Sequence, residues 1–204
     1  MQFAVIDVET TGLNPYRHDR IIEVAAILIL PKQNTVQEFT TIINPERDIG
    51  PTSVHGLTAS DVVNAPRFSD IAGDLAEFLN GVNALVGHNV RFDISFLRSE
   101  YQRINIEMPD YPSIDTMHLA GGGTLSACCI ENGIDFNGRA HTAINDARAT
   151  GMLLRELLKG EFDKLINHKL SEVPVWPTCP MVSGRLLPRE QPNDSNVAMP
   201  AYIK

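Results

Sequence analysis

One short stretch of this chain carries side chains that could do chemistry together. Phe3-Ala4-Val5-Ile6-Asp7-Val8-Glu9-Thr10-Thr11-Gly12 is an apolar run that ends in two acids. Residues two apart on a β-strand point to the same face. A strand here projects Asp7 and Glu9 side by side from the end of a buried element. Adjacent carboxylates repel each other and are costly to desolvate. A hard divalent cation such as Mg²⁺ or Mn²⁺, which takes oxygen ligands, relieves both penalties. A solvated pair of acids at a strand end fits this stretch equally well.

Acids return at two later places. In Gly87-His88-Asn89-Val90-Arg91-Phe92-Asp93-Ile94-Ser95-Phe96-Leu97, Asp93 falls in the first turn of a helix. Asn89 is its candidate N-cap, and Phe92, Phe96 and Leu97 face the core. An acid placed there for the helix dipole is the plain alternative. In His141-Thr142-Ala143-Ile144-Asn145-Asp146-Ala147, Thr142 is a candidate cap for the last helix and sets Asp146 near its start. On a continuous helix, a spacing of five puts His141 and Asp146 on different faces. With His141 on the preceding loop, it can swing over the site that Asp146 helps build; a surface histidine is the alternative.

The elements that must position these groups follow from periodicity. Residues 21–30 and 36–43 read as strands, joined by short connections that favour antiparallel neighbours. Thr58 or Ser60 can cap a short helix. Phe68, Ile71, Leu75, Phe78 and Leu79 recur at helical spacing, which predicts a helix over 69–80. Residues 84–86 are a short buried strand, followed by a helix running to about Ile104. Ser113-Ile114-Asp115-Thr116 is a strand end, and helical patterns cover 125–132 and 143–159. Strands first, then strands alternating with helices, indicate a layered α/β domain around a mixed sheet.

From about Gly160 the character changes. Pro174, Pro177, Pro180, Pro188, Pro192 and Pro200 interrupt a stretch with little periodicity. It reads as a non-helical tail, disordered or wrapped on the domain or on a partner, with Trp176 as its anchor.

A length of 204 residues allows one domain with a full core and an appendage. No apolar run approaches the ~20 residues that span a bilayer, and Met1-Gln2 leads straight into a strand, so neither a membrane span nor a signal peptide is expected. Cys128 and Cys129 suit buried thiols in a reducing cytosol, Cys179 stands alone, and no Cys/His cluster suggests zinc. The expected location is cytoplasmic. A net charge of −8 argues against tight non-specific binding to nucleic acid. It is compatible with an enzyme that holds a short piece of strand through metal ions and relies on a partner for delivery.

Asp7, Glu9, Asp93 and Asp146 with His141, in that order and each at the end of an element, resemble the DEDD exonucleases. This is the DnaQ-like family of the ribonuclease-H-like fold, in its histidine branch. The family's Asp-x-Glu-Thr motif stands as Asp7-Val8-Glu9-Thr10, and its Asn-x-x-Phe-Asp core as Asn89 to Asp93. Its His-x-x-x-x-Asp motif stands as His141 to Asp146, and its Val-His-Gly-Ile/Leu-Thr segment as Val54-His55-Gly56-Leu57-Thr58. The resemblance covers residues 1–158 and leaves 159–204 as a tail of unknown role. It implies a mixed five-stranded sheet flanked by helices and two divalent ions, Mg²⁺ or Mn²⁺, bound by the four acids. It also implies phosphodiester hydrolysis from the 3′ end of nucleic acid.

By the resemblance, Asp7 bridges both ions, Glu9 and Asp146 complete one site, Asp93 serves the second, and His141 is the general base. An unperturbed imidazole pKa near 6.5 suits that task. Thr10, Thr11, Gly12 and Leu13 follow the acids directly. Their backbone amides are candidates for the terminal sugar, and Leu13 for a wedge against the last base. His55 is a candidate contact to the terminal nucleotide or a turn residue bonded to backbone. Asn89 divides between N-cap and substrate contact, and Phe92 between core packing and base stacking. Arg17, Arg20, Arg91 and Arg139 are candidate phosphate contacts or ordinary surface charges.

There are departures. The segment before His55 is short, and Met117 to Thr124 has no Lys or Arg where many relatives carry a basic loop. The expected activity is a metal-dependent 3′→5′ exonuclease acting on DNA ends, proofreading beside a polymerase that the tail contacts. The alternatives are an RNA-trimming enzyme of the same family, a non-catalytic nucleic-acid-binding module, and a ribonuclease-H-type endonuclease.

Overall fold

β1 (Phe3–Thr10) is the centre of the sheet. It pairs antiparallel with β2 (Ile21–Ile29), and β2 pairs antiparallel with β3 (Gln37–Ile42). On its other side β1 runs parallel to β4 (Ala84–Gly87), and β4 parallel to β5 (Ser113–Asp115). The order β3-β2-β1-β4-β5 is the expected mixed five-stranded sheet. The computed structural model describes residues 1–30, 37–135, 141–159, 168–178 and 180–189.

The central strands are covered on both faces, which is why their sequences are nearly continuous apolar runs. Ala4, Ile6 and Val8 join a core with Val24, Ala26 and Leu28 under α3 (Phe68–Phe78) and α4 (Val90–Arg103). Phe3 and Val5 join a second core with Ala25, Ile27, Ala84 and Val86 under α7 (Ala143–Leu157). Each fully buried Leu, Ile or Phe contributes about 1.5–3 kcal/mol of transfer free energy. Burial therefore holds the sheet between its helices and dictates that Asp7 and Glu9, in register with Phe3 and Val5, face α7.

Shorter helices fill the connections. They are α1 (Thr52–His55), α2 (Ala59–Val62), α5 (Thr116–Leu119), α6 (Leu125–Glu131) and α8 (His168–Ser171). Thr58 is the N-cap of α2, and its amide donates to Asp61 at 2.6 Å. Cys128 and Cys129 lie buried in α6 as free thiols. Two segments depart from the sequence reading. The loop expected after Thr116 begins as α5, because Asp115 accepts the Met117 amide at 3.0 Å and caps it. The tail expected to be non-helical contains α8, whose Leu170 is buried in the second core. Trp176 does pack on the domain, its ring 4.8 Å from that of Tyr101. No helix among the described residues is long and apolar enough to cross a membrane.

The sheet opens a cleft where β1 outruns β4. β4 pairs with β1 only over Phe3 to Val5. Ligands of open α/β sheets bind outside the carboxyl ends of the parallel strands, where neighbouring connections diverge. Asp7 and Glu9 lie at that end.

Candidate active site

Three elements deliver the acids to this cleft. β1 presents Asp7 and Glu9 on the α7 side. α4 presents Asp93 one turn from its start, and Asp93 Oδ1 accepts the Val8 amide at 3.0 Å. A backbone donor left bare by the short β4 thus locks the carboxylate against β1. α7 presents Asp146 in its first turn, where Oδ2 accepts the His141 amide at 3.2 Å. His141 is exposed and has φ +63°, a left-handed backbone that costs a non-glycine residue about 1–2 kcal/mol. Such strain, held by a neighbouring carboxylate, is a feature of functional loops. Glu9, His141 and Asp146 each offer a ligand atom within 4.8 Å of the other two.

The electrostatics are those of an anion cluster. Burial pushes the Asp7 carboxyl well above the usual range, and Asp93, Asp146, Glu9 and Glu23 push it further. Burial raises Asp93 as well, against the lowering effect of the Val8 amide. Glu9 is pushed up to about 8, by burial first and then by Asp146 and Glu23, with Arg189 opposing. Asp146 is pushed up to about 6 by burial, while the charge and amide of His141 pull it down. Oxygen donors crowded at the cost of mutual repulsion fit a hard divalent cation, which turns each repulsion into an attraction. Asp7, Glu9, Asp93 and Asp146 could hold such an ion, with His141 beside Glu9 and Asp146.

The residues around the acids divide. Leu13 is 84% exposed, as a wedge against a base requires. Gly12 permits a close turn, since a Cβ there would meet the Asp19 carboxylate at 2.5 Å. The Thr10 hydroxyl donates to the Gly12 carbonyl at 2.6 Å. Thr11 is spent on structure, contrary to expectation. Its amide donates to the Arg20 carbonyl at 2.9 Å, and its hydroxyl accepts the Arg20 amide at 3.0 Å.

His55 is also corrected, in favour of the turn reading. It is 1% exposed, with Nε2 3.1 Å from the Ile49 carbonyl and Nδ1 accepting the Leu57 amide at 3.1 Å, so neither ring nitrogen faces a substrate. Asn89 occupies the N-cap position of α4 with φ +66°, yet its side chain makes no capping bond and is exposed beside the cleft. Phe92 is half-buried and packs on Phe96, ring centroids 4.8 Å apart. Thr142 takes the N-cap position of α7 without a side-chain cap, and its hydroxyl accepts from Arg189 at 3.0 Å. Among the candidate phosphate contacts, Arg20 is tied to Glu100 by two bonds of 2.8 and 2.9 Å and is structural. Arg17 and Arg91 are exposed, and Arg139 lies outside the described residues.

Two groups at the site escaped sequence reasoning. Glu23 stands opposite Glu9 in the β1–β2 register, fully buried, and its Oε2 accepts the Ala143 amide at 3.4 Å. A lone acid inside Ile21-Ile22-Glu23-Val24-Ala25 was the available signal, since a central strand does not bury a charge without cause. Arg189 comes from the tail, 43 residues after Asp146, and no sequence signal marks it.

This geometry has relatives. The exonuclease family called RNase_T matches residues 4–154. The chain is 32% identical over 183 residues to the DNA polymerase III subunit epsilon of Buchnera aphidicola, covering 81% of this chain and 78% of that protein. It is 36% identical over 177 residues to the PolC-type DNA polymerase III of Oceanobacillus iheyensis, covering 82% of this chain but only 12% of that much longer protein. In fold it is similar to a 3′-exonuclease solved in a study of histone mRNA stem-loop recognition. That match has a TM-score of 0.65 at 19% identity, over 78% of this chain and 82% of that one. The chain thus belongs to the RNase_T exonuclease family, of DnaQ-like type.

Proposed function

We propose that this chain is a metal-dependent 3′→5′ exonuclease that releases nucleoside monophosphates from DNA ends, proofreading beside a polymerase. The observation that carries the reading is the convergence of Asp7, Glu9, Asp93 and Asp146 at one strand end, with His141 on a strained loop above them. When bound by the four acids, two divalent cations would supply Lewis-acid stabilisation of the attacking and leaving oxygens. Asp7, which feels all the other carboxylates, would be shared between the ions, with Glu9 and Asp146 completing one site and Asp93 the other. His141 is the general base, with an exposed imidazole that can take a proton from an attacking water and pass it to solvent. Leu13 limits how far the last base enters, Gly12 and Leu13 amides meet the terminal sugar, and Asn89, Phe92, Arg17 and Arg91 line the approach.

DNA is favoured over RNA because the two sequence relatives named above, at 36% and 32% identity, are DNA polymerase III proteins, whereas the likeness to the mRNA-recognising 3′-exonuclease, at 19% identity, is one of fold. The net charge of −8 supports delivery by a protein partner over capture of long strands unaided. Residues 1–158 form the exonuclease module and 159–204 its tail, and a cytoplasmic site goes with this reading.

The test is a gel assay with Mg²⁺ or Mn²⁺ on three 5′-labelled substrates: single-stranded DNA, the same sequence as RNA, and a duplex with a mismatched 3′ end. A ladder shrinking from the 3′ end, lost on EDTA, on a 3′ block and in Asp7→Ala, supports the reading. Cutting of a circular strand, or faster loss of the RNA, overturns it.

A further inference from the structure

Beyond the family's residues 4–154, the tail delivers a guanidinium to the edge of the acid cleft. We propose that Arg189 is a positioning residue for the reaction, clamping the loop that carries His141; this rests on the exonuclease reading above. Arg189 Nη2 donates to the His55 carbonyl at 2.7 Å and lies 3.6 Å from Glu23 Oε2. Its Nη1 donates to the Thr142 hydroxyl at 3.0 Å and the His141 carbonyl at 3.4 Å. One planar fork therefore ties the end of α1, the middle of β2 and the residues just before α7. Glu23 bonds the first amide of α7 at the same time. Both residues of the strained His141–Thr142 loop are held, and the side chain that holds them is only 12% exposed. None of these three hydrogen bonds and one ion pair reaches Asp7, Glu9, Asp93 or Asp146, so the guanidinium leaves the proposed cation ligands free and acts as a clamp, not a plug.

The tail is seated for this purpose between Met181 and Leu187. The Met181 carbonyl lies where a side chain on Gly73 would stand, 2.0 Å from its ideal Cβ, so α3 carries a glycine at mid-helix to admit it. Ser183 and Gly184 donate their amides to Asp74 at 3.0 Å each. The Leu187 amide donates to the Thr41 hydroxyl at 2.9 Å, and the Ile42 amide donates to the Leu187 carbonyl at 2.8 Å. The strap thus follows α3, adds to the edge of β3, and sets Arg189 over the cleft. A lysine cannot replace it, because an ammonium is a point donor and cannot span two carbonyls, a hydroxyl and a carboxylate.

The full-length Arg189→Ala, Arg189→Lys and Arg185→Ala proteins are compared with wild type on 5′-labelled single-stranded DNA with Mg²⁺. Loss of alignment at the base lowers kcat about 10–100-fold in Arg189→Ala with KM within about twofold. Arg189→Lys recovers only a few-fold of that loss. Arg185→Ala, which removes the same charge from an exposed part of the strap, matches wild type. Hydrogen exchange is read without metal or substrate. In Arg189→Ala it speeds up in peptides covering 52–58 and 141–146 and stays unchanged in β1 and β2. An unchanged kcat, a raised kcat, full recovery by lysine, a kcat loss without faster exchange in those peptides, or faster exchange throughout β1 and β2 each overturns the clamp. A wild-type protein without nuclease activity defeats the exonuclease reading instead, and the exchange arm then decides the clamp alone.

Discussion

Two places in this molecule bury carboxylates, and they are built in opposite ways. At one corner Glu100, 1% exposed, meets Arg20 through bonds of 2.8 and 2.9 Å, Arg103 at 3.3 Å and the Ile21 amide at 3.2 Å. Every oxygen there has a cationic or backbone donor, and the charge is repaid by partners of the same chain. At the end of β1, Asp7, Glu9, Asp93, Asp146 and Glu23 converge, and among the described residues the cationic groups that offset them are His141 and Arg189. The first arrangement stabilises the fold. The second leaves the fold worse off by itself and suits a divalent cation, which would offset the crowded charge. Charge balance, more than burial, separates a structural acid from a functional one here.

Substitution of Asp7 tests this contrast hardest. Asp7→Asn removes the proposed shared ligand, and exonuclease activity should fall at least about a thousandfold, worth ~4 kcal/mol of transition-state stabilisation. The same change removes a repelling charge, so the metal-free protein at pH 8 becomes more stable by about 1 kcal/mol, seen by thermal denaturation in EDTA. A loss of stability there would mean that the acid cluster is as well balanced as the Glu100 corner.

Glu100→Gln should do the reverse. It leaves two guanidiniums facing a neutral amide and costs about 3 kcal/mol, the low end for a broken buried pair because both arginines keep some solvent. Activity per folded molecule stays near wild type, as urea unfolding and active-site titration together would register.

The pH dependence gives a smaller effect with a definite sign. Glu9 rises from an ordinary value of 4.5 to about 8, and Asp146 from 3.8 to about 6. The folded chain therefore binds these protons more tightly than the unfolded chain. Their contribution to metal-free stability is fully present below the unfolded values and is lost as pH rises through about 6 and then about 8. Mg²⁺ should reverse the trend, raising the melting temperature most above pH 8, by a few degrees. A metal-free melting temperature that rises from pH 5 to pH 8 would contradict the crowding of these acids.

The smallest effect concerns the strap. Gly73→Ala improves helix propensity by about 1 kcal/mol, yet its Cβ would stand 2.0 Å from the Met181 carbonyl. Net stability should barely change, while limited proteolysis within 172–189 speeds up.

The positions of the four acids and His141 at element ends were legible because each sits at a fixed offset from an element whose periodicity is local. Asp7 and Glu9 end an apolar strand, Asp93 opens a helix marked by Phe92, Phe96 and Leu97, and Asp146 opens another after Thr142. The sheet and the long helices were readable for the same reason, to within two or three residues at their ends. Short helices such as α5 and α8 were not, since four residues cannot display a period.

His55, Thr11, Thr142 and Arg20 show where such reading fails. Their residue types suit contact with a nucleotide or a helix amide, but partners distant in sequence, or across a turn, claimed their polar atoms first. Glu23 and Arg189 show the same limit from the other side. β2 lies beside β1 by strand pairing, and the strap reaches the cleft only because α3 presents Gly73 and β3 a free edge. Local pattern, set by backbone geometry over a few residues, determined which side chains could do chemistry. The tertiary structure alone decided which carboxylates crowd together with few cations to balance them and which distant arginine reaches the loop above them, because charge balance is a property of what meets in space.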